Sequence, residues 1–198
     1  MMDHKVATQV DKSREPPRRD ARITKSRDAL RTALLDLVAE MPFEAVSVAA
    51  ITTRAGIGYA TFFRHYPTRE ALLAEIADDL IGQLLVRIAP LLLAQDTGAA
   101  ALALTGFVDA RRPLCRALLV GAGEAMRRDV TARAIAAAGT AETPAPEWLP
   151  RDLGIVHGVA ATLTILRWWL EQDRPEDEGA VADLLDRLVF GPMAGERA

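Results

Sequence analysis

Cysteine is nearly absent from this 198-residue chain: Cys115 stands alone. It cannot form an intramolecular disulfide, and no second thiolate is present to help build a zinc site, so a disulfide framework and cysteine-based metal binding are both excluded. No bilayer-length run of uninterrupted apolar residues occurs. The strongest candidate, Gly154 to Leu170, is broken by His157, two threonines and Arg167. The N-terminus MMDHKVATQVDKSREPPRRD carries charges throughout and lacks the apolar stretch of a signal peptide. A soluble cytoplasmic protein with no membrane partner is expected. The motifs of enzymes are also missing: no His-Glu-x-x-His, no phosphate loop, no nucleophile elbow and no cluster with metal-ligand spacing. The expectation is therefore a non-enzyme with no cofactor, no catalytic residues and no metal. Alternating β-branched runs bounded by hairpin turns do not appear, which leaves an all-α fold of about nine helices.

What is present begins with an uneven charge. Residues 1–70 hold 12 Lys and Arg against 9 Asp and Glu, a net +3, and the remaining 128 carry −6. Half of the residues are apolar, enough for a sizeable core. Three regions follow from the pattern: an arm over 1–20, a three-helix unit over 21–67 and a larger helical unit over 68–198. The arm mixes charge with Pro16-Pro17 and has no apolar period, so it reads as disordered. Its Arg14, Arg18, Arg19, together with Arg22, fit either a solvated tail or a minor-groove contact.

Ile23, Ala29, Leu30, Ala33, Leu34, Leu37 and Val38 recur at helical spacing from near Arg22 until Met41-Pro42 stops the run. Ser47 offers an N-cap oxygen to a short second helix, and Gly56 suits the left-handed residue that ends it. Tyr59 to Tyr66 make a third short helix. After Pro67-Thr68, Leu72, Leu73, Ile76, Leu80, Leu84, Leu85 and Ile88 mark a long fourth helix running towards Pro90. Further helices are expected over Thr97 to Ala110, Pro113 to Val120, Gly123 to Ala138, Arg151 to Gln172 and Glu176 to Phe190, with GTAETPAPEWLP as the clearest linker.

Two short helices joined through glycine form a helix-turn-helix pattern, whose second helix enters the major groove of double-stranded DNA. Ile51, Ala55, Ile57, Phe62 and Tyr66 are spaced to pack inward. The DNA-facing set is then Ser47, Tyr59, Ala60, Thr61, Phe63, Arg64, His65 and Arg69, with Tyr59 and Thr61 reaching base edges and Arg64, His65 and Arg69 meeting phosphates. A helix-turn-helix that only packs, inside a helical small-molecule-binding module, is the alternative.

The stretch VSVAAITTRAGIGYATFFRHYPTREALL resembles the DNA-binding domain of the TetR family of regulators. The resemblance rests on Ala55-Gly56-Ile57, Thr61, the aromatic Phe63, His65-Tyr66 and Arg69-Glu70-Ala71-Leu72, and it covers Arg22 to about Leu80. It departs from the family where Phe63 replaces a common tyrosine, Arg69 a common lysine and Tyr59 another. Phe63 has no hydroxyl for a phosphate, whereas Arg69 keeps the charge and adds a fork.

The resemblance implies a one-component regulator, a repressor by family default, that binds a palindromic operator as a homodimer and is released by a small effector. Leu153 to Leu170 is apolar nearly all round, so that helix is expected to be covered on two sides. Leu163, Leu166, Trp169, Leu170, Val181, Leu184, Leu185 and Leu188 are the expected dimer contacts, a monomeric core being the other reading. Candidate ligand contacts are Phe107, Cys115, Leu119, Met126, Trp148, His157, Thr162 and Trp168, each equally at home in a core. Their scarcity of charge points to an apolar or aromatic effector steered by His157.

Overall fold

Nine helices and one 3₁₀ turn, with no strand among the described residues, make up the fold. A computed structural model of the chain describes residues 17–140, 146–172 and 176–195, with side chains from 21 onward. The arm expected over 1–20 therefore lies outside the described residues up to residue 16. From Pro17 the backbone is already helical, so α1 (Pro17–Glu40) starts earlier than the apolar period indicates. Proline at a first helical position lacks only an N–H that would have no partner there.

Leu30, Ala33, Leu34, Leu37 and Val38 bury the inner face of α1. Pro42 stops it, and Phe43–Ala45 turn in a single 3₁₀ step. In α2 (Val48–Ala55) the Ser47 hydroxyl accepts from the amide of Ala50 at 3.1 Å. Gly56 ends that helix at φ +65°, a conformation that costs a residue with a side chain. α3 (Tyr59–His65) follows, then α4 (Arg69–Leu93), capped by Thr68 through the amide of Ala71. α4 does not stop at Pro90 but continues to Leu93. Val86, whose carbonyl loses its helical partner to Pro90, is 78% exposed, and Pro90 itself is exposed, so the break in the helical ladder lies on the solvent side.

The larger unit comprises α5 (Thr97–Asp109), α6 (Arg112–Arg116, prolonged by a π turn at Ala117–Gly121), α7 (Gly123–Gly139), α8 (Arg151–Glu171) and α9. α9 runs over Glu178–Leu185, through a π turn at Asp186–Phe190, into Gly191–Ala194. α5 packs between α4 and α9, and α7 between α4 and α8. α8 has the length and composition of a membrane-crossing helix, as a core helix also does; here Gly158, Leu166, Trp169 and Leu170 are buried against its neighbours. α6 joins the two units. It packs on α1, and its arginines hold the end of α8: Arg112 donates to the Trp169 carbonyl at 2.8 Å, and Arg116 to that of Leu170. Charge-assisted bonds of this kind fill carbonyls that a helix leaves without internal partners.

Candidate nucleic-acid interface and internal cavity

A seven-residue helix is too short to persist alone, so α3 depends on what lies behind it. Phe62 is fully buried beneath it, its ring 5.3 Å from that of Phe63 and 5.9 Å from that of Tyr66. At the end of α3 the Tyr66 hydroxyl donates to Glu75 Oε1 at 2.9 Å and accepts from Arg27 Nε at 3.3 Å. Arg27 also pairs with Glu75, as does Arg31 at 3.0 Å, and Arg31 reaches Asp79. One polar network thus ties α1 and the end of α3 to the first turns of α4.

Burial pushes the Glu75 carboxyl up, but hydrogen bonds from Arg27, Tyr66 and Arg31 outweigh it and hold the group below its ordinary value. In the unfolded chain a glutamate titrates near about pH 4.3. The folded value lies lower, so the stabilisation is complete above the unfolded pKa and is lost as pH falls through the folded one. Glu75→Gln is expected to cost about 1–2 kcal/mol at neutral pH and to flatten the acid fall of stability. Urea midpoints measured in parallel from neutral pH into the acid limb check this; wild type and variant falling in parallel would refute it.

The outer surface of α3 carries the expected set. Tyr59 is 58% and Phe63 45% exposed, their rings edge-to-face at 5.1 Å. Ala60 and Arg64 are exposed, and Thr61 and His65 half-buried. Arg64 donates to Thr61 Oγ1 at 2.8 Å, which couples a cation to the neighbouring hydroxyl. Ser47 is exposed beside them at the start of α2, with its oxygen engaged as the cap.

Arg69, expected to meet a phosphate, stands apart because its guanidinium is engaged within the chain. Its guanidinium donates to the carbonyls of Phe43 at 3.0 Å, Glu44 at 3.2 Å and Val46, pairs with Glu70 at 2.8 Å and lies 4.7 Å from the Phe43 ring centre. It fastens the turn between α1 and α2 to α4. Spacing along α4 puts Arg69 near the DNA-facing edge but does not show that carbonyls of the 3₁₀ turn converge on it.

Behind this domain the larger unit encloses a cavity of about 230 Å³, lined by the second half of α4 (Ile81, Leu84, Leu85, Ile88) and by α5, α7, α8 and α9. Of the eight expected ligand residues, Thr162 alone lines it. Phe107, Cys115, Leu119 and Met126 are buried elsewhere in the core, and Trp148, His157 and Trp168 are exposed. The Cys115 thiol is pushed up to about 12 by burial, which leaves it protonated and inert. Half-burial of Ile81, Leu84 and Leu85 in the second half of α4, against complete burial of Leu72, Leu73 and Ala77 in the first, is the sign of a wall rather than a core.

The expected dimer contacts divide as well. Leu166, Trp169, Leu170, Val181 and Leu185 are buried within the subunit, and Leu163 lines the cavity. Leu184 and Leu188 are exposed. The free apolar stripe of α8 is instead Leu153, Val156, Ala160 and Trp168, interrupted by Thr164, at spacings of three and four. A helix apolar on every side gives no phase from its sequence, which explains the shift from Trp169 to Trp168.

The chain thus presents a helix-turn-helix on a long helix that leads into a cavity-bearing helical domain. Residues 30–76 match the model of the bacterial regulatory proteins of the tetR family. It is 37% identical over 70 residues to an uncharacterized HTH-type transcriptional regulator, YxbF, of Bacillus subtilis (strain 168), a match spanning 31% of this chain and 18% of that protein's length. A TetR transcriptional regulator from Rhodococcus sp. RHA1 has the same fold, with a TM-score of 0.65 and 14% identity over 90% of this chain and 99% of that one. So does the multidrug binding protein EbrR, solved with imidazole, with a TM-score of 0.59 and 18% identity over 82% and 94%.

Proposed function

We propose that the chain represses transcription as a cytoplasmic homodimer that binds a two-fold-symmetric operator through α3 and releases it when a small apolar molecule fills the cavity. The observation that carries this reading is the pair of exposed apolar stripes on α8 and α9: Leu153, Val156 and Trp168 on one, Leu184 and Leu188 on the other. Large apolar groups in such rows mark an interface, and α8 with α9 meeting their own copies gives a four-helix contact. A dimer doubles the few contacts one α3 offers and spaces two of them for successive turns of DNA.

In this reading Tyr59 and Thr61 reach base edges, Ala60 and Phe63 lie against sugar or thymine methyl, and Arg64, His65 and Ser47 meet phosphates. Arg69 positions the turn. α4 is the lever, because Arg69 at its start holds the DNA-binding domain and Leu84 and Ile88 line the cavity. An effector that favours one placement of α4 shifts the distance between the two copies of α3. The cavity also moves the expected steering group: His157 is on the surface, and Thr162 is in the lining. EbrR, complexed with imidazole, is a neighbour in fold that holds a small molecule.

Selection from a random duplex pool at moderate salt tests the proposal. The intact chain is expected to enrich one two-fold-symmetric sequence. Failure to enrich any sequence would overturn specific DNA recognition and leave a helical binding module.

A further inference from the structure

Three polar side chains are buried among the described residues: Thr52, Thr97 and Thr105. The Thr52 hydroxyl donates to the carbonyls of Val48 and Ala49, both at 3.0 Å, and that of Thr105 to those of Ala101 and Leu102, both at 3.2 Å. A threonine inside a helix can turn its hydroxyl back to the preceding turn in this way. Thr97 opens α5, so no earlier turn of its own helix stands behind it. It is 4% exposed, and its hydroxyl has no partner among the described residues.

Thr97 lines the cavity. A buried hydroxyl left without a hydrogen bond is costly, and this one keeps both an O–H to donate and lone pairs to accept with. An occupant of the cavity is placed to complete it. Thr162 of α8, half-buried, brings a second hydroxyl without a partner to the same lining.

The rest of the lining restricts the body and the charge of the occupant. Leu84 and Ile88 of α4, Val130 of α7, and Ile155, Leu163 and Leu166 of α8 present hydrocarbon surface. No carboxylate, lysine or histidine lines the cavity among the described residues. Its one arginine, Arg151, is already engaged within the chain, with Nη2 donating to the Gly139 carbonyl at 3.2 Å. An ion of either sign would leave water for a wall whose single charge is committed elsewhere. Scaled from the apolar cavity of about 150 Å³ that accepts benzene, a space of about 230 Å³ takes about nine non-hydrogen atoms.

We infer that the effector is an uncharged alcohol on a hydrocarbon body of about eight carbons, its hydroxyl on Thr97 at the start of α5. A ketone or an ether would use only the donor of Thr97, whereas an alcohol uses donor and acceptor together. This rests on the reading of the cavity as the effector site and names the chemistry that site selects.

Calorimetric titration of the full chain without DNA tests it, with cyclohexylmethanol, methylcyclohexane, cyclohexanecarboxylate and cyclohexylmethylammonium as probes. Cyclohexylmethanol is expected to bind the wild type at least about tenfold more tightly than either ion. Thr97→Val, which removes the hydroxyl at nearly constant volume, should weaken the alcohol about tenfold and leave methylcyclohexane unchanged. Thr97→Ser, which keeps a hydroxyl, should retain most of the alcohol's affinity. Without ligand, Thr97→Val should melt at or above the wild-type temperature, because the Thr97 hydroxyl has no partner to lose. An alcohol bound as tightly by Thr97→Val as by wild type, or a Thr97→Val protein that melts lower and loses both uncharged probes alike, would overturn the assignment of Thr97. Either ion bound as tightly as the alcohol would overturn the uncharged class, and no binding of any probe would overturn the cavity as the effector site. Since DNA is absent from the titration, a chain that binds the alcohol at Thr97 but enriches no operator would instead sink the repressor reading alone.

Discussion

Phe62→Ala is expected to destabilise the protein by about 3–5 kcal/mol, the range for emptying a well-packed aromatic site. Phe62 is fully buried between α3 and the helices behind it, and its ring meets those of Phe63 and Tyr66. No other side chain of α3 is buried among its seven residues, so the loss cannot be shared along the helix. The Tyr66–Glu75–Arg27 network then holds one end of α3 while the other frays. Far-UV circular dichroism should change little at low temperature, because α3 is a small part of the helical content. The urea midpoint should fall sharply, and DNA affinity should fall with it. Phe62→Leu, closer in volume, is expected to lose less than about 1.5 kcal/mol. Equal stability of Phe62→Ala and wild type would mean that α3 is anchored elsewhere.

The second large effect is on assembly. Glutamate at both Leu184 and Leu188 is expected to convert the proposed dimer to monomer, with a dissociation constant raised at least about a hundredfold, since charges in a desolvated interface lose hydration without finding partners. Two-fold symmetry repeats the damage, placing both substituted pairs in the same contact. Leu188 is 60% and Leu184 38% exposed, so the monomer's own fold should keep its melting behaviour. Sedimentation at a series of concentrations measures the change. A double variant that sediments as wild type would place the subunit contact on another surface, and a wild type that is monomeric at every concentration would remove the contact altogether.

The DNA-binding half was legible in advance because local chemistry dictates it. Ser47 caps, Gly56 takes φ +65°, Pro42 stops α1, and the period of Leu30, Leu34 and Leu37 points one face inward. Tertiary facts were less visible. Arg69 has the position of a phosphate contact but serves carbonyls that are more than 20 residues away in sequence. The π turn at Asp186–Phe190 changes the phase of α9, and α8 has no polar face to reveal its own, so burial there could not be assigned residue by residue. The cavity is an emptiness among aliphatic side chains. Cysteine, tryptophan and histidine draw the eye in a sequence, yet Cys115 packs in the core and Trp148 and His157 face water.

Whether α3 reads bases is tested most directly by repeating the selection from random duplex DNA with Tyr59→Ala and with Thr61→Ala beside the wild type. Both residues stand on the outer surface of α3, Thr61 joined to Arg64 by a 2.8 Å bond. A base-reading side chain contributes about 1–3 kcal/mol of discrimination at its own position and little elsewhere. The expected result is a relaxed or altered base at one pair of symmetry-related positions for each variant, within an otherwise unchanged site. Identical sequences enriched by all three proteins would contradict recognition through α3.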